Sequence, residues 1–364
     1  MAVTARKKAE TAAGSEAKET TKETAPQSGT FCFEKKRYEF VLRAEQPIAH
    51  HAENRGNEAI LFRRSMRVRG GWVEIPIVTA DTMRHGLREA AAYAVLNATN
   101  MMTGANLSEA AIRLLFAGGM VTGRGDASTI SLDRYRELTE LIPTMSLFGG
   151  CCDNRVIPGR LVVEDAVLIC SEIADEKLGH LPPWAVEHVE TTVGIDLSVH
   201  HIEDQQRVRM DPTMHPEKRL LMSSDAQVSV NARLTSSEMA HAENDAIARE
   251  DSKSSMMPRR FEEVKAGSLF SWAIEASTYN PLDVDVLNLA VTAFLSNARV
   301  GGKKGIGRGL LRPVEARNIT ITRPAEEHTP IDALAIAPRV GDVFREHVMA
   351  REERIRAFLR GVNA

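Results

Sequence analysis

The chain alternates between stretches with strand periodicity and stretches with helix periodicity. Apolar residues recur at every second position of Arg37–Arg43, which predicts the first strand. Ile60–Arg69 is predicted as a strand with most of its arginines on one face and its apolar residues on the other. Trp72–Val78 then leads into a helix over Asp81–Asn97, for which Thr79 is the predicted N-cap.

The next stretch is predicted to be an inserted helical piece. One helix spans Ser108–Ala117 and ends at Gly118 and Gly119. A second spans Ser131–Ile142 and ends before Pro143. Because these helices separate the strands before and after them, we interpret them as an insertion.

Strand patterning returns after the helical piece. Arg160–Cys170 is predicted to be a strand pair or one bent strand. Phe261–Thr278 is predicted to be a hairpin that turns near Ala266 and Gly267. Residues 200–258, between them, are polar and poor in aromatic residues, so we expect an arm rather than core.

The last part of the chain is predicted to run helix, loop, strand, helix. The first helix covers Asp283–Ala298, and the Gly-rich loop Gly301–Gly309 follows it. A strand is predicted from Leu310 onward, and a C-terminal helix over Val340–Leu359.

Composition places the chain among soluble globular proteins. Its 364 residues are 43% hydrophobic and 26% charged, and a chain of this length can bury a sizeable core. Apolar runs such as Ala166–Cys170 are too short to cross a bilayer, and we expect no signal sequence, because no charged–apolar–small pattern is found in the first residues. Its four cysteines include no CxxC pair, which excludes a zinc site built from such pairs and favours a cytoplasmic location. Residues 1–29 lack Leu, Ile and aromatic residues, so we expect a disordered tail.

The net charge of −3 hides a segregation of charges along the chain. Residues 160–204 hold ten acidic and two basic residues. Residues 59–73 hold four arginines and no acid, and residues 286–314 hold five basic residues and no acid. The two acid-free segments predict a local anion-binding surface, with chance clustering on solvated faces as the alternative.

The loop Gly301–Gly309 holds five glycines and three cations in nine residues. Glycine permits close approach to the backbone, and the cations indicate an anion beside exposed N–H groups. The loop matches neither the Walker A pattern nor the dinucleotide fingerprint. Both of those motifs connect a strand to a following helix, whereas this loop is predicted to connect a helix to a following strand. A polynucleotide backbone therefore fits better than a nucleotide; the alternative is a flexible basic turn.

Four stretches in chain order resemble the RAMP superfamily of CRISPR proteins, over residues 37–320. Glu74–Ala90 (EIPIVTADTMRHGLREA) resembles its proline-then-helix motif with paired arginines. Ser146–Ala166 (SLFGG…IPGRLVVEDA) resembles its LFG turn and the strand after it. Phe261–Glu275 (FEEVKAGSLFSWAIE) resembles its glycine-containing strand, and the Gly-rich loop before the last strand resembles its hallmark glycines.

The resemblance implies an α+β fold, with a ferredoxin-like or RRM-like (RAMP) core, a helical insertion and a β-rich, thumb-like arm. The implied divisions are a disordered tail (1–29), the first part of the core (30–100), the helical insertion (101–145), core strands (146–199), the thumb-like insertion (200–258), the end of the core with the Gly-rich loop (259–322) and a C-terminal helical extension (323–364).

Within the superfamily the chain most resembles the backbone subunit, which polymerises along the guide RNA (crRNA) of class 1 effector complexes. Length and the 200–258 insertion favour type IV, with type I-D second. The implied partners are crRNA, further copies of the chain in a head-to-tail filament, other effector-complex subunits, and a target DNA or RNA that pairs with the guide. The acidic stretch Glu164–Asp204 and the basic segments are candidate complementary surfaces between copies. No cofactor, metal or membrane partner is implied.

One departure from the family bears on catalysis. In type III backbone subunits, a loop after the first strand carries a catalytic Asp that cleaves target RNA; the matching loop here, His50–Glu58, has no Asp. We therefore expect binding without cutting. The alternative is a RAMP-fold endoribonuclease that cuts target RNA or processes guide precursors. A general single-strand binder is disfavoured, since only Phe62 and Trp72 lie near the basic segments as stacking platforms.

The candidate RNA-binding residues are cations, glycines and one apolar wedge from the basic segments, the first helix and the arm. They are Arg63, Arg64, Arg67, Arg84, His85, Arg88, Arg207, Arg209, Met222, Arg259, Arg260, Gly301, Gly302, Lys303, Lys304, Gly305, Gly307 and Arg308. For Arg84 and Arg88 the alternative to phosphate contact is structural ion pairing with Asp81 and Glu89. For Met222 the alternative to a wedge between bases is a simple loop anchor.

The remaining candidate chemistry is weaker. His50-His51 and His200-His201 suggest a metal or a general base, but no third ligand lies at zinc-like spacing near either pair. We favour histidines of polar loops or of a nucleic-acid-facing surface. The cysteines are predicted to be small core residues rather than a redox pair.

Overall fold

The computed structural model describes residues 34–55, 58–104, 106–119, 128–152, 155–189, 196–208, 216–232, 258–278, 280–322, 325–331 and 341–361. All of these belong to one unit, Phe33–Ala364. The tail predicted at 1–29 lies outside the described residues. Of the helices in the described ranges, none has both the length and the apolar character needed to span a membrane.

The described strands are β1 (Glu34–Ala44), β2 (His51–Arg55), β3 (Glu58–Leu61), β4 (Arg63–Val68), β5 (Gly71–Val78), β6 (Ser128–Thr129), β7 (Gly150–Cys152), β8 (Arg155–Ile157), β9 (Leu161–Val163), β10 (Ala166–Leu168), β11 (Ile202–Val208), β12 (Pro258–Val264), β13 (Leu269–Thr278), β14 (Ala298–Arg299), β15 (Leu310–Thr322) and β16 (Ala325–Ile331). The described α-helices are α1 (Ala80–Ala98), α2 (Glu109–Ile112), α3 (Leu132–Leu141), α4 (Thr144–Phe148), α5 (Pro183–Val186), α6 (Pro216–Arg219), α7 (224–232), α8 (Pro281–Ser296), α9 (Asp342–Met349) and α10 (Glu352–Leu359).

The largest sheet runs in the order β14, β15, β1, β13, β10, β5, β4, while β16 joins β15 and β9 joins β13. Its central strand β1 lies antiparallel to both β13 and β15. Taken along the chain, β1, α1, β9 with β10, β13, α8 and β15 form a β-α-β-β-α-β succession, and its four strand positions lie in the order 4-1-3-2. The predicted α+β class is confirmed at this level, because helices pack with antiparallel sheets.

Strand β1 is buried on both faces. Phe40 is fully buried, and the hydroxyl of Tyr38, on the same face, donates to Asn288 of α8 at 2.6 Å. On the opposite face, Glu39 accepts a hydrogen bond from the indole N–H of Trp184 at 2.9 Å. Helix α8 therefore covers one side of the central strand and the segment around α5 covers the other. Each large apolar side chain buried here contributes about 1.5–3 kcal/mol.

The predicted hairpin over Phe261–Thr278 is wrong. Strand β12 pairs with β11 and β3 in a second sheet, whereas β13 pairs with β1, β9 and β10. The turn between them adopts a left-handed φ of +92° at Gly267, whose N–H donates to the Ala44 carbonyl oxygen at the end of β1. The predicted turn is therefore present, but it leads the chain from one sheet into the other instead of joining two paired strands.

Two further strand predictions are resolved. Ile60–Arg69 is not one strand: it breaks at Phe62, so β3 joins the second sheet and β4 the first. At the break, the Phe62 N–H donates to the His50 carbonyl oxygen at 2.9 Å and the two rings stack. Arg160–Cys170 is the bent strand of the two alternatives, since β9 and β10 both run along β13.

The predicted helices before Gly150 are confirmed. Thr79 is the N-cap residue of α1, and the hydroxyls of Ser108 and Ser131 accept hydrogen bonds at the starts of α2 and α3. The helix begun by α2 continues as a π-helical turn over Arg113–Ala117 and ends at Gly118, whose φ is +80°.

The C-terminal extension departs from its prediction in two ways. It is not wholly helical, because β16 adds a strand to β15. The single helix predicted over Val340–Leu359 is two helices, α9 and α10, separated at Ala350 and Arg351.

The arm begins and ends in the second sheet. Strands β11 and β12 pair antiparallel over their whole length and carry the chain out and back. Within the described residues between them lie α6 and α7, so the part of the arm beyond its sheet base is helical there rather than β-rich. Residues 209–215 and 233–257 lie outside the described ranges.

Candidate nucleic-acid interface

The Gly-rich loop, Gly301–Gly309, is fixed by backbone hydrogen bonds at both ends. The Gly302 N–H donates to the Ala49 carbonyl oxygen at 2.7 Å, and the Gly309 N–H donates to the Pro47 carbonyl oxygen at 2.9 Å. Both carbonyls lie in the turn that follows β1. The loop is therefore held against the exit of the central strand.

The loop glycines serve different purposes. Gly301 and Gly309 have φ of +71° and +84°. A Cβ on Gly301 would lie 2.7 Å from the Ala49 carbonyl oxygen, and a Cβ on Gly309 would collide with the carbonyl of Val300. Gly305 has no left-handed φ, and a Cβ there would meet no atom of the described chain within 4 Å. The fold therefore requires glycine at 301 and 309, and also at Gly307, whose φ is +82°, but not at Gly305.

The tip of the loop is a single 3₁₀ turn over Lys304–Ile306, bounded by Lys303 and Gly307. All three residues of the turn are exposed. The part of the chain that the structure describes offers Lys304 no ion-pair partner. The tip thus presents a cation, a residue without a side chain and an apolar side chain to solvent.

A buried carboxylate beneath the loop holds its other two cations. Glu263 is fully buried, and Arg308 approaches both of its oxygens at 3.1 Å. The ammonium of Lys303 lies 4.0 Å from the same carboxylate and packs over the ring of Phe261. The prediction that all three loop cations face RNA is corrected, because Arg308 and Lys303 compensate a charge that would otherwise be buried alone.

The arginines of β4 are also used within the chain. Arg63 binds Glu262 at 2.8 Å, and the second oxygen of that carboxylate accepts the Leu61 N–H at 2.9 Å. Arg64 binds Asp165 at 2.6 Å, while Asp165 also accepts the first N–H of α1. Arg63 thus joins β4 to the second sheet, and Arg64, which stays exposed, joins it to the start of α1. Contact of either arginine with RNA stays a prediction.

Arg67 and Arg69 lie near the tip of the β4–β5 hairpin. Arg69 forms an ion pair with Asp175. Arg67 is exposed, and no ion pair of its side chain is found among the described residues. Its backbone carbonyl instead accepts a hydrogen bond from His180 at 2.6 Å. Of the four arginines in the acid-free segment, Arg67 remains available for an external anion.

Arg84 and Arg88 point into the protein. The Arg84 guanidinium donates to the carbonyl oxygens of Leu161 at 2.7 Å and Phe148 at 2.8 Å. Arg88 donates to the Phe148 carbonyl at 2.8 Å and reaches that of Gly149 at 3.4 Å. Burial lowers the pKa of Arg84, and burial followed by the charge of Arg84 lowers the pKa of Arg88 to about 10. Both arginines therefore have the structural role that was the alternative to phosphate contact. Their partners are backbone carbonyl oxygens rather than the carboxylates of Asp81 and Glu89.

Other predicted residues are spread over α1 and the arm. His85 is exposed on α1. Arg207 lies opposite Arg259 in the β11–β12 ladder, although their side chains are outside the described atoms. Arg260 is exposed, with Glu58 at 3.7 Å and Asp204 at 4.0 Å. Arg209 lies outside the described residues.

The apolar residues predicted for the arm differ in their exposure. Met222 is half-buried, and its carbonyl accepts a hydrogen bond from Gln227. Leu220 and Leu221, beside it, are 78% and 87% exposed. A wedge between bases, which stays a prediction for the arm, would fit these two leucines better than Met222.

The first histidine pair supports the junction between sheets. His50 is buried, accepts the Thr79 N–H at 3.2 Å and stacks on Phe62. Burial, followed by the nearby charge of His51, lowers the pKa of His50 to about 4, so the ring is neutral and suits the start of α1. His51 donates to the Glu262 carbonyl oxygen at 2.9 Å.

The second pair includes a hydrogen-bonded Ser-His-Asp chain. His201 lies 2.9 Å from the hydroxyl of Ser268 and 2.7 Å from the carboxylate of Asp196. Ser268 is buried, so the arrangement ties the turn before β13 to the segment before β11 and exposes no nucleophile. Among the described residues there is no group of three His, Cys, Asp or Glu side chains that could hold a metal.

The sequence pattern did not reveal the acidic residues that pair with these cations. Those pairs determine which cations lack a carboxylate partner among the described residues. Glu263 had a detectable signal: strand alternation places it on the same face as Phe261, and a carboxylate on the apolar face of a strand indicates a buried ion pair. Glu262, Asp165 and Asp175 had no such signal, because their partners are far away in the sequence.

No protein-family model matches the chain, and no curated protein matches it. Among solved structures, a chain of "Type IV-B CRISPR Complex" is similar at 14% identity and a TM-score of 0.45. The similarity covers 82% of this chain and 96% of that chain. At these values the likeness carries no conclusion about function.

Proposed function

We propose that the chain is a non-catalytic, guide-RNA-binding backbone subunit of a class 1 CRISPR effector complex, of type IV in the first place and type I-D in the second. It polymerises head to tail along crRNA, contacts other effector subunits, and presents the guide for pairing with a target DNA or RNA.

The observation that carries the proposal is the position and surface of the Gly-rich loop. The β-α-β-β-α-β succession with strand order 4-1-3-2 is typical of a ferredoxin-like core, which supports the proposal, and the loop lies between the second helix and the last strand of this succession. This is where the RAMP resemblance places its hallmark glycines. The loop is fixed against the exit of β1, while its tip, Lys304–Ile306, is open to solvent.

The chemistry of the tip suits a phosphate backbone. A guide varies in sequence, so a scaffold that serves every guide must bind mainly through phosphates. Lys304 supplies a mobile cation, and the missing side chain of Gly305 lets a phosphate approach the loop backbone. We therefore assign the anion contact of the loop to Lys304 and Gly305, with Arg308 and Lys303 shaping the loop from inside.

Charge removal at Lys304 tests this assignment. We expect K304Q to weaken binding of unrelated single-stranded RNAs by a similar factor and to reduce the slope of log K against log salt by about one. Fluorescence anisotropy of labelled RNA over a series of salt concentrations measures both quantities. The matched control is K177Q, which removes an exposed cation from the acidic segment and leaves the slope unchanged. A K304Q effect confined to one RNA sequence, or an equal effect of K177Q, contradicts the assignment.

The alternative function is a ribonuclease of the same fold. The loop that follows β1 has no Asp, and the histidines beside it, His50 and His51, are engaged in hydrogen bonds to Thr79 and Glu262. We therefore expect RNA to be recovered intact after incubation with the protein and Mg²⁺ or Mn²⁺. Metal-dependent cleavage by the purified chain would favour the ribonuclease instead.

A further inference from the structure

The β4–β5 hairpin carries an exposed tryptophan at its tip. Trp72 is 72% exposed and directly follows Gly70 of the turn and Gly71, the first residue of β5. A Cβ on either glycine would meet no atom of the described chain within 4 Å, so the approach to the indole is open. Single exposed apolar side chains are common on protein surfaces, so what distinguishes Trp72 is its neighbour on the paired strand.

Arg67 stands beside this tryptophan. The two residues are direct cross-strand partners in the β4–β5 ladder, so their side chains leave the same face of the hairpin. Arg67 is the arginine of this segment for which the described residues provide no carboxylate. An aromatic face and a free guanidinium are thus presented side by side.

The hairpin holds these two side chains on a rigid support. The opposite face packs inward through Met66 and Ile75, which are buried. At the tip, His180 bonds to the Arg67 carbonyl oxygen, and Arg69 pairs with Asp175. The exposed face is therefore fixed in place rather than free to collapse onto the protein.

The composition of this face favours a nucleobase over a protein partner. Besides Arg67 and Trp72 it presents Ser65 and Glu74, and within the described hairpin no second large apolar side chain is exposed there. The core of a protein interface needs a contiguous apolar patch. A single indole next to a cation matches the combination by which proteins hold single-stranded nucleic acid, in which a base stacks on the ring and the cation meets a phosphate. Glu74 bounds this site on one side, since its charge repels phosphate.

We propose that Trp72 is a stacking site for one base of bound single-stranded RNA and that Arg67 binds a neighbouring phosphate. The inference rests on the proposed function, because it places a sequence-tolerant base contact within the same RNA-binding chain. Stacking accepts any base, so the site adds affinity without restricting the guide sequence.

Intrinsic fluorescence can test this site selectively. The other two tryptophans, Trp184 and Trp272, are 7% and 1% exposed, so a solvent-accessible ligand reaches Trp72 first. Titration with an oligouridine of about 30 nucleotides, longer than the roughly 4–16-nucleotide site of a single-strand-binding module, is expected to quench part of the emission. A backbone of the same length without bases should bind through phosphates and leave the emission unquenched.

Substitutions separate the base from the phosphate. We expect W72A to bind the oligouridine about tenfold more weakly and W72F to lie between W72A and wild type, because phenylalanine keeps a smaller stacking face. R67Q should lower the salt slope by about one, which W72A should not do. M349A is the matched control, since Met349 is also 72% exposed, and it should bind as wild type does.

The possible outcomes separate a failure of the stacking site from a failure of the proposed function. If RNA binds but the emission does not change and W72A binds as wild type does, the stacking site is refuted while the proposed function stands. If the emission changes with protein concentration in the absence of RNA, Trp72 contacts another protein copy and the inference is overturned. If the folded protein binds no RNA at all, the proposed function and the stacking site fail together.

Discussion

At the residue scale, the charges near the candidate interface are decided by pairing across long sequence distances. Arg63 and Glu262 are 199 residues apart, yet their side chains meet at 2.8 Å. Charge patterning along the sequence located the basic segments correctly. It could not separate the cations that compensate buried or half-buried acids from those, such as Lys304 and Arg67, that face solvent. That distinction depends on tertiary contacts, which no local pattern encodes.

His50 provides a pH-dependent test of the residue-scale account. Its pKa is about 4 in the folded protein and 6.5 for an ordinary histidine, so between these values the unfolded chain binds more protons than the folded one. The contribution of neutral His50 to the free energy of unfolding is fully present above pH 6.5 and decreases as the pH falls toward 4. The loss reaches on the order of 3 kcal/mol.

We expect H50Q to remove this part of the pH dependence. A glutamine carbonyl can accept the Thr79 N–H, but it does not titrate. Urea unfolding of wild type and variant at several pH values between 4 and 7 gives the difference in slope. H85Q, on the exposed side of α1, should keep the wild-type slope. An H50Q protein whose stability falls with pH as steeply as wild type would show that His50 is not held neutral by burial.

At the element scale, the Gly-rich loop contains glycines that the fold needs, such as Gly309, and one that it does not need, Gly305. We expect G309A to lower the free energy of unfolding by roughly 1–2 kcal/mol or more, because alanine is strained at φ +84° and its Cβ meets the Val300 carbonyl. G305A should stay within about 0.5 kcal/mol of wild type, because its Cβ enters open space. Chemical denaturation measures both values.

In the glycine variants, RNA affinity and the free energy of unfolding are not expected to change together. G305A is expected to bind RNA more weakly while it remains as stable as wild type, since the added methyl keeps a phosphate away from the loop backbone. L132A, at an exposed position of α3, is a control for nonspecific surface changes. Wild-type RNA affinity in G305A would remove the tip of the loop from the interface.

Helices and strands were predicted correctly where the hydrophobic periodicity and the capping signals agree. Strand pairing was predicted wrongly where several strands of the chain could serve as the partner. Helix α1 and the helices capped by Ser108 and Ser131 follow from local signals, and the structure confirms them. The hairpin predicted over Phe261–Thr278 failed because both strands have the right pattern but pair with strands remote in sequence. The break at Phe62 was missed for the same reason: β3 and β4 belong to different sheets.

At the scale of the whole molecule, much of the charge expected to join neighbouring copies is used within one copy. Glu164, Asp165 and Asp175 of the acidic stretch bind Arg37, Arg64 and Arg69 of the same chain. Electrostatic complementarity between copies is correspondingly weaker than the sequence predicts. Assembly in the proposed filament must then rely on RNA, which brings copies together on one strand.

The dependence of assembly on RNA length is the decisive test of the proposed RNA-bound filament. Multi-angle light scattering of the purified chain with single-stranded RNAs of increasing length gives the number of chains per RNA. A backbone subunit with a head-to-tail contact is expected to add one chain for each fixed increment of RNA, so the number rises linearly with length. One chain per RNA at every length, or a mass that RNA does not change, would contradict the account.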